Sequence, residues 1–469
     1  MTRQKTCLVL GGGLAGISAA VRMSQQGWRV TLVETRKRLG GRATSFVDRE
    51  TDQYVDNCQH VLLGCCSNLL DLYHHLGVRD QVDWHDRLHF FDKHGNHDIL
   101  FRQDLPAPLH LSFSMLKFKT LTWSEKIAVS QGMVAIMQVG IQGRDNYTNQ
   151  TFGDWLRANG QPDGAISKFW DVIVVSALNE WSNNVNAAHA LQVFQEGFLM
   201  HRDAYVMGTS AVPLIRLYDR AVDVIEASGG SVHLRTSVNK LHYDNGKITG
   251  VETTTHGNMQ ADAYISALPF DRIKKVAPDS LVADDERLQG LNEFSVSPIL
   301  GIHLVFERPV TDHPHLILVD SPLQWVFNKR ETKGPGTQYL HCVVSAAYEW
   351  IPSSQDEILD MAITELACYA PDARVVPLTH GRVIKEKLAT FAPRPGIDAF
   401  RPKASGPVPN LFLAGDWCAS GWPATMEGAV RTGYRAAGAV VGKNLTVPDL
   451  PRAELFDWMG RLPRLAPEL

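Results

Sequence analysis

Gly11-Gly12-Gly13-Leu14-Ala15-Gly16 closes a short apolar run at residues 7–10 and opens a stretch, 14–26, whose apolar residues Leu14, Ile17, Ala20 and Val21 recur at helical spacing. Residues 29–33 are again β-rich, so the order is strand, glycine turn, helix, strand. In such a βαβ unit Gly11 permits the tight turn, Gly13 lets the backbone approach a pyrophosphate, and Gly16 allows the helix to pack closely on the strand. The N-terminal end of the helix, at Leu14 and Ala15, then presents free N–H groups to phosphate charge. Glu34 ends the second strand, about 20 residues on, where an acid accepts hydrogen bonds from a ribose diol and repels a 2′-phosphate. The unit predicts a dinucleotide site.

The residues just past the acid select the dinucleotide. Arg38-Leu39-Gly40-Gly41-Arg42-Ala43-Thr44-Ser45 places a second glycine pair and an arginine where a longer cofactor's pyrophosphate and ribityl chain would run. A guanidinium suits a diphosphate. FAD is expected rather than NAD.

The 469 residues allow two or three lobes and a large core, and 44% apolar with 20% charged residues is an ordinary globular composition. A formal charge of −4 gives no basic field for nucleic acid. Seven cysteines without paired metal-type spacing suggest a reduced, cytoplasmic setting. The apolar run after Arg3 and Lys5 reaches glycine too soon for a secretory signal, and no run approaches the roughly 20 apolar residues of a membrane span.

Strand-like runs at 231–238, 247–254, 262–266 and 411–414 extend the nucleotide-binding lobe. The expected fold is α/β, with a Rossmann-type, three-layer ββα cofactor lobe and an inserted α+β substrate lobe. The cofactor lobe takes residues 1–80, 221–290 and 396–469; the substrate lobe is mostly helical over 81–220 and an antiparallel sheet over 291–395. Residues 88–101 read as a hairpin around His94-Gly95-Asn96, and Ser354 with Glu357 as a capping box.

The glycine turn, Glu34, the Gly40-Gly41-Arg42 stretch and Leu413-Ala414-Gly415-Asp416 resemble the flavin-containing amine oxidase and phytoene desaturase superfamily. The resemblance implies that Asp416 contacts the ribityl or pyrophosphate part of FAD and that the backbone near Val238 contacts adenine, with Gly415, Thr425 and Met426 also at the cofactor. Two stretches, Asp56 to Cys65 and Gly421 to Tyr434, are similar to the squalene-associated branch, the hydroxysqualene dehydroxylases of hopanoid synthesis; Cys58 departs from that pattern, which has Gly there. This narrower resemblance implies reductive removal of the allylic hydroxyl of hydroxysqualene to give squalene, an isoprenoid substrate, and contact with upstream enzymes of that pathway. A carotenoid (phytoene-type) desaturase or amine oxidase, running the flavin in the oxidising direction, is the alternative, and a non-catalytic flavoprotein a further one. Trp417 and Trp422 are a poor imitation of an amine oxidase's aromatic cage.

Expelling hydroxide needs an acid, for which His60, Glu180 and Glu196 are candidates by type, His60 foremost. Pro423 is expected in the first turn of a helix over 424–441 whose dipole stabilises reduced flavin, and Gly428, Ala429, Gly433, Ala436 and Ala437 would let that helix approach a ring or strand. Trp155, Trp170, Trp181, Phe194, Phe198, Trp325 and Phe327 belong to the substrate lobe, as core or as aromatic walls. His74-His75, His85 with His89, and His94 with His97 read as a solvated face, so no metal is expected. Residues 109–123 (LHLSFSMLKFKTLTW), with Lys117 and Lys119 among apolar side chains, have the composition of a segment lying on a membrane surface, and 456–465 is a weaker second candidate.

Overall fold

The computed structural model describes residues 3–330 and 333–461. Strand Thr6–Leu10 ends at Gly11, whose left-handed backbone (φ +102°) turns the chain into helix Leu14–Gln25; strand Arg29–Glu34 then returns parallel to the first. At Gly16 a Cβ would overlap the Gly11 carbonyl oxygen, so only glycine lets the helix start this close to the strand. The sheet runs Ser231–Leu234, Arg29–Glu34, Thr6–Leu10, Ala263–Ser266, Leu411–Leu413, parallel throughout. Its strands come from three distant stretches of the chain.

Side chains alternate across this sheet with the period of two that strands impose. Cys7 and Val9 point into the core shared with helices Leu14–Gln25 and Met426–Val441, while Leu8 and Leu10 point into the core shared with a second layer. That layer is the antiparallel sheet Val238–Asp244, Lys247–Thr253 and Gly257–Met259, which completes a three-layer ββα lobe. Helix Met426–Val441 begins at Met426 with Thr425 as its cap, so Pro423 lies before the helix rather than in its first turn. Its small residues let it pack on strands Ala263–Ser266 and Leu411–Leu413 and on the first helix, where a Cβ on Gly433 would overlap Ser18 Oγ and the Ala15 carbonyl.

A second sheet has seven strands, in the order Leu378–Phe391, Val296–Phe306, Gln338–Ser345, Trp325–Lys329, His315–Leu318, Arg87–Phe91, His97–Phe101. Pairing is antiparallel except between His315–Leu318 and Arg87–Phe91. The hairpin at 87–101 thus extends a sheet whose other strands lie far downstream, because a lone hairpin cannot bury both of its faces. Helix Gln355–Ala367, started by the Ser354–Glu357 capping box, covers one face of this sheet with Ile358, Ala362 and Leu366. On the other face helices Trp123–Val139, Phe152–Ala158, Asp171–Leu178 and Ala187–Phe194 pack around the fully buried Trp170 and Phe194.

Candidate active site

The parallel sheet delivers its loops to one place. Gly41, with a left-handed backbone (φ +61°), passes so close to Gly13 that a Cβ on it would stand 2.9 Å from the Gly13 Cα. A Cβ on Gly13, in contrast, would meet only Gly41, at 3.9 Å, so the space before Gly13 is otherwise free of protein. That space is a cradle open to a phosphate. Two arginines flank it: Arg36 donates to the Gly41 carbonyl (2.9 Å), and Arg42 donates to the Ala389 carbonyl (2.8 Å) and to Asp416; the guanidinium of Arg38, nearby in the chain, lies over the Phe46 ring, its Nε buried with no hydrogen-bond partner among the described residues. Burial, and next the Arg36 cation, pull the pKa of Arg38 down, so an anion here would relieve it. Burial works against the charge of Arg42 as well, yet Asp416 outweighs it and its pKa is raised. The Glu34 carboxylate accepts the N–H groups of Gly12 and Arg36 (both 2.7 Å), closing the turn beside the cradle. The loop before Val238 is tied to the same strand end: Thr236 N–H donates to the Glu34 carbonyl (2.8 Å) and Thr35 to Ser237 (2.7 Å). Gly415 N–H donates to Thr432 (2.9 Å), seating Asp416 beside Arg42. Gly11, Gly13, Gly16, Glu34, Gly41, Arg42, Gly415 and Asp416 are thus brought together, and the donor set fits a diphosphate-bearing cofactor. Arg36 and Arg38 were missed as site residues; their spacing after Glu34 was a signal that a diphosphate would need more than one cation.

Between the two lobes lies an apolar cavity enclosing about 1110 Å³ of empty space, its open mouth included. Trp422, Thr425 and Met426, at the capped end of helix Met426–Val441, form part of its wall; Val172, Phe198 and Trp325 contribute from the helices and the seven-stranded sheet. Trp325 is fixed there by stacking on Phe327 (5.4 Å) and by donating to Ser176 Oγ (2.5 Å). Of the aromatics singled out in the substrate lobe only Phe198 and Trp325 face this space; Trp155, Trp170 and Phe194 are core, and Trp181 is at the surface.

The acid candidates separate. His60 stands outside the wall, which begins at Val61; its Nδ1 lies 3.0 Å from the Cys58 carbonyl, and burial lowers its pKa, favouring the neutral ring. Glu180 is buried among Tyr348 (2.9 Å) and Asn184 (3.2 Å), away from the wall. Glu196 does border the cavity, held by Arg144 at 2.8 Å, and burial raises its pKa despite that cation. Cys58 is buried, and the chain there runs against Gly301, where a Cβ would stand 2.9 Å from the Asn57 carbonyl oxygen. The two tryptophans form no cage: Trp417 is buried against Phe294 and donates to the Leu268 carbonyl, while Trp422 lines the cavity under the Arg431 guanidinium.

A family model described as flavin containing amine oxidoreductase matches residues 14–441. The chain belongs to that family. As a flavin amine oxidoreductase it binds FAD and is an oxidoreductase, and its α/β fold is that of the amine oxidases. Among solved structures, an oxidoreductase from Methanosarcina mazei superposes with a TM-score of 0.71 at 18% identity, covering 93% of this chain and 100% of that one. A putrescine oxidase superposes at 0.70 and 15%, covering 94% and 100%. At these identities the likeness shows the fold alone. The 15-cis-phytoene desaturase of Synechococcus elongatus is 28% identical over 457 residues, 93% of this chain and 95% of its own length. The zeta-carotene desaturase of Arabidopsis thaliana is 25% identical, over 92% of this chain and 84% of its own.

These relatives overturn the reading as a hydroxysqualene dehydroxylase, and with it the assignment to squalene and hopanoid synthesis. The stretches that suggested it serve the cofactor lobe as well as the cavity wall, to which they give Val61, Leu62, Leu63, Cys65, Trp422 and Met426. Asn57 donates to the Arg42 carbonyl, Asp56 accepts from Ser45 (2.7 Å) and from Leu214 N–H (3.0 Å), and Glu427 anchors residues 68–69.

Proposed function

We propose that this flavin amine oxidoreductase is a desaturase of long apolar polyenes of the phytoene type. The observation that carries the reading is the cavity: a space walled largely by aliphatic and aromatic side chains, meeting the cofactor lobe at Thr425 and Met426. Near-full-length likeness to phytoene and zeta-carotene desaturases supports it. Such a wall rewards an apolar chain by roughly 25 cal/mol per Å² buried, and the two carboxylates that border it, Glu196 and Glu427, are each already paired with an arginine, Arg144 and Arg431. When bound, FAD would supply the two-electron acceptor for a desaturation in which a hydride is lost from an allylic carbon and a proton from the neighbouring one. The wall holds the polyene extended and excludes water, and Glu196 is the carboxylate placed to take the proton.

In this reading the turn at Gly11 to Gly16, with Arg38, Gly41 and Arg42, holds the diphosphate; Glu34 holds the adenosine ribose, and the backbone at Val238 the adenine. Gly415 and Asp416 take the ribityl chain, and Thr425 and Met426 the flavin edge. Asp416→Asn removes the carboxylate that would accept from the ribityl hydroxyls and that holds Arg42 in place, a cost of about 1.5–3 kcal/mol. Asp416→Asn should therefore weaken FAD binding by roughly ten- to a hundredfold in a fluorescence titration; unchanged affinity would remove Asp416 from the site.

No helix among the described residues is long and apolar enough to cross a membrane. A water-insoluble substrate must still be delivered, and the exposed apolar row on residues 109–127 would meet a bilayer surface. The decisive experiment incubates FAD-loaded protein with 15-cis-phytoene in liposomes and a quinone-class electron acceptor. Products with added conjugated double bonds are expected; oxidation of a primary amine instead, with phytoene untouched, would overturn the proposal.

A further inference from the structure

At the outer end of the seven-stranded sheet, five imidazoles gather where the hairpin Arg87–Phe91 and His97–Phe101 meets the chain entering strand His315–Leu318. Register explains the first two. Phe91 pairs with His97, so His89, two residues before Phe91, shares a sheet face with His97 as its diagonal neighbour. His313 is brought in by the strand that lies parallel to Arg87–Phe91. His89 Nδ1 and His97 Nε2 are 2.9 Å apart, and the His313 ring lies 4.8 Å from that of His97 and 5.4 Å from that of His89. One ring nitrogen from each of the three lies within 4.8 Å of the others. The pairs that the sequence suggested, His85 with His89 and His94 with His97, do not form this trio.

We propose that His89, His97 and His313 form a binding site for a divalent transition-metal ion of the zinc class. Three imidazoles with ring nitrogens this close together are a borderline-soft ligand set, suited to Zn²⁺, Co²⁺, Ni²⁺ or Cu²⁺ and unsuited to Mg²⁺ or Ca²⁺. Around a tetrahedral ion with Zn–N near 2.1 Å the ligand nitrogens stand about 3.3 Å apart. The three ring nitrogens, one pair at 2.9 Å and all within 4.8 Å, bracket that spacing. His97 is exposed and gives an ion its entry, leaving a fourth position for water. The surroundings orient the rings: buried His315 accepts the His89 backbone N–H (3.3 Å) and packs edge-on against its ring, and Phe91 stacks on His97 at 4.4 Å. The nearby Arg87 guanidinium sits over the Phe101 ring. The other such grouping among the described residues, Asp48, Glu50 and His380, is already served by a cation, since Arg382 reaches both carboxylates. An ion at the histidine trio would clip the terminal hairpin to the strand entering from residue 313.

Titration of chelator-treated, tag-free, FAD-loaded protein with Co²⁺ tests this. One equivalent should bind with the intense visible bands of four-coordinate cobalt and be displaced by Zn²⁺ but not by Mg²⁺. His97→Ala and His313→Asn should each weaken binding by at least about tenfold, whereas His94→Ala, in the hairpin turn outside the trio, should not. His97 is exposed on a terminal strand, and unchanged flavin absorbance and melting will establish that its variant is folded. Absence of cobalt bands in the parent protein, or equal binding by the folded His97→Ala variant, would overturn the proposal.

Discussion

Glu196 and Glu427 both border the cavity, and their neighbours assign them different work. The Glu427 carboxylate accepts from Asn68 twice, from Leu69 N–H (2.8 Å) and from Arg431 Nε (2.6 Å), so it is locked into the helix start and the 68–69 segment. Glu196 is anchored by Arg144 at 2.8 Å beside the apolar wall, and burial raises its pKa. A base must be deprotonated to work, so desaturation should fall as pH drops through the Glu196 pKa. That acid limb should lie above the ordinary glutamate value of about 4.3. Glu196→Gln should lower kcat by about 10²–10⁴-fold and erase the limb while leaving flavin absorbance intact. A Gln variant with the parent's rate and pH profile would exclude Glu196 as the proton acceptor.

Helix Met426–Val441 carries both the cavity wall at Met426 and the contact with the first helix at Gly433. A side chain at 433 would overlap the Ala15 carbonyl, which is backbone and cannot rotate away, as well as Ser18 Oγ. Gly433→Val should therefore cost about 1–3 kcal/mol through forced separation of the helices, read as a lower melting temperature of the flavin-bound protein. An unchanged melting temperature would mean the helices part without penalty. This element also marks what sequence makes legible. Features decided over a few residues were readable: the turn at Gly11, the Ser354–Glu357 cap and the hairpin at 87–101 each rest on local backbone rules. The small residues of the last helix were visible too, but not their partner, because Gly433 meets Ser18 from the far end of the chain. The same holds for Arg42 with Asp416 and for His313 with His89 and His97, contacts that exist only once distant strands pair. The substrate was misread for a related reason: the stretches at Asp56 and Gly421 give the wall only its cofactor-lobe side, whereas the rest, among it Leu88, Val172, Phe198 and Trp325, is scattered along the chain and forms no motif.

At the scale of the whole molecule the cavity must be filled from a lipid phase if the substrate is a polyene. The surface offers one region suited to that. Phe113, Leu116, Trp123 and Ile127 are each at least half exposed, and Lys126 lies over the Trp123 ring at 4.4 Å. Helix Glu454–Met459 abuts helix Trp123–Val139 near Met137 and adds Trp458, also more than half exposed; the remainder of the expected second segment, 462–465, lies outside the described residues. Apolar side chains flanked by lysines on a short helical segment are the pattern of a surface-lying anchor, whose affinity follows the apolar area it inserts. Replacing Phe113, Leu116 and Trp123 together by serine should remove about 3 kcal/mol or more of that transfer energy, roughly a hundredfold loss of partition onto anionic vesicles. Cosedimentation reads this directly. The variant should keep its flavin and its melting temperature, because these side chains are exposed and leave the core untouched, while turnover of vesicle-borne phytoene falls in step with binding. If the triple variant sediments like the parent, this face is not the docking surface.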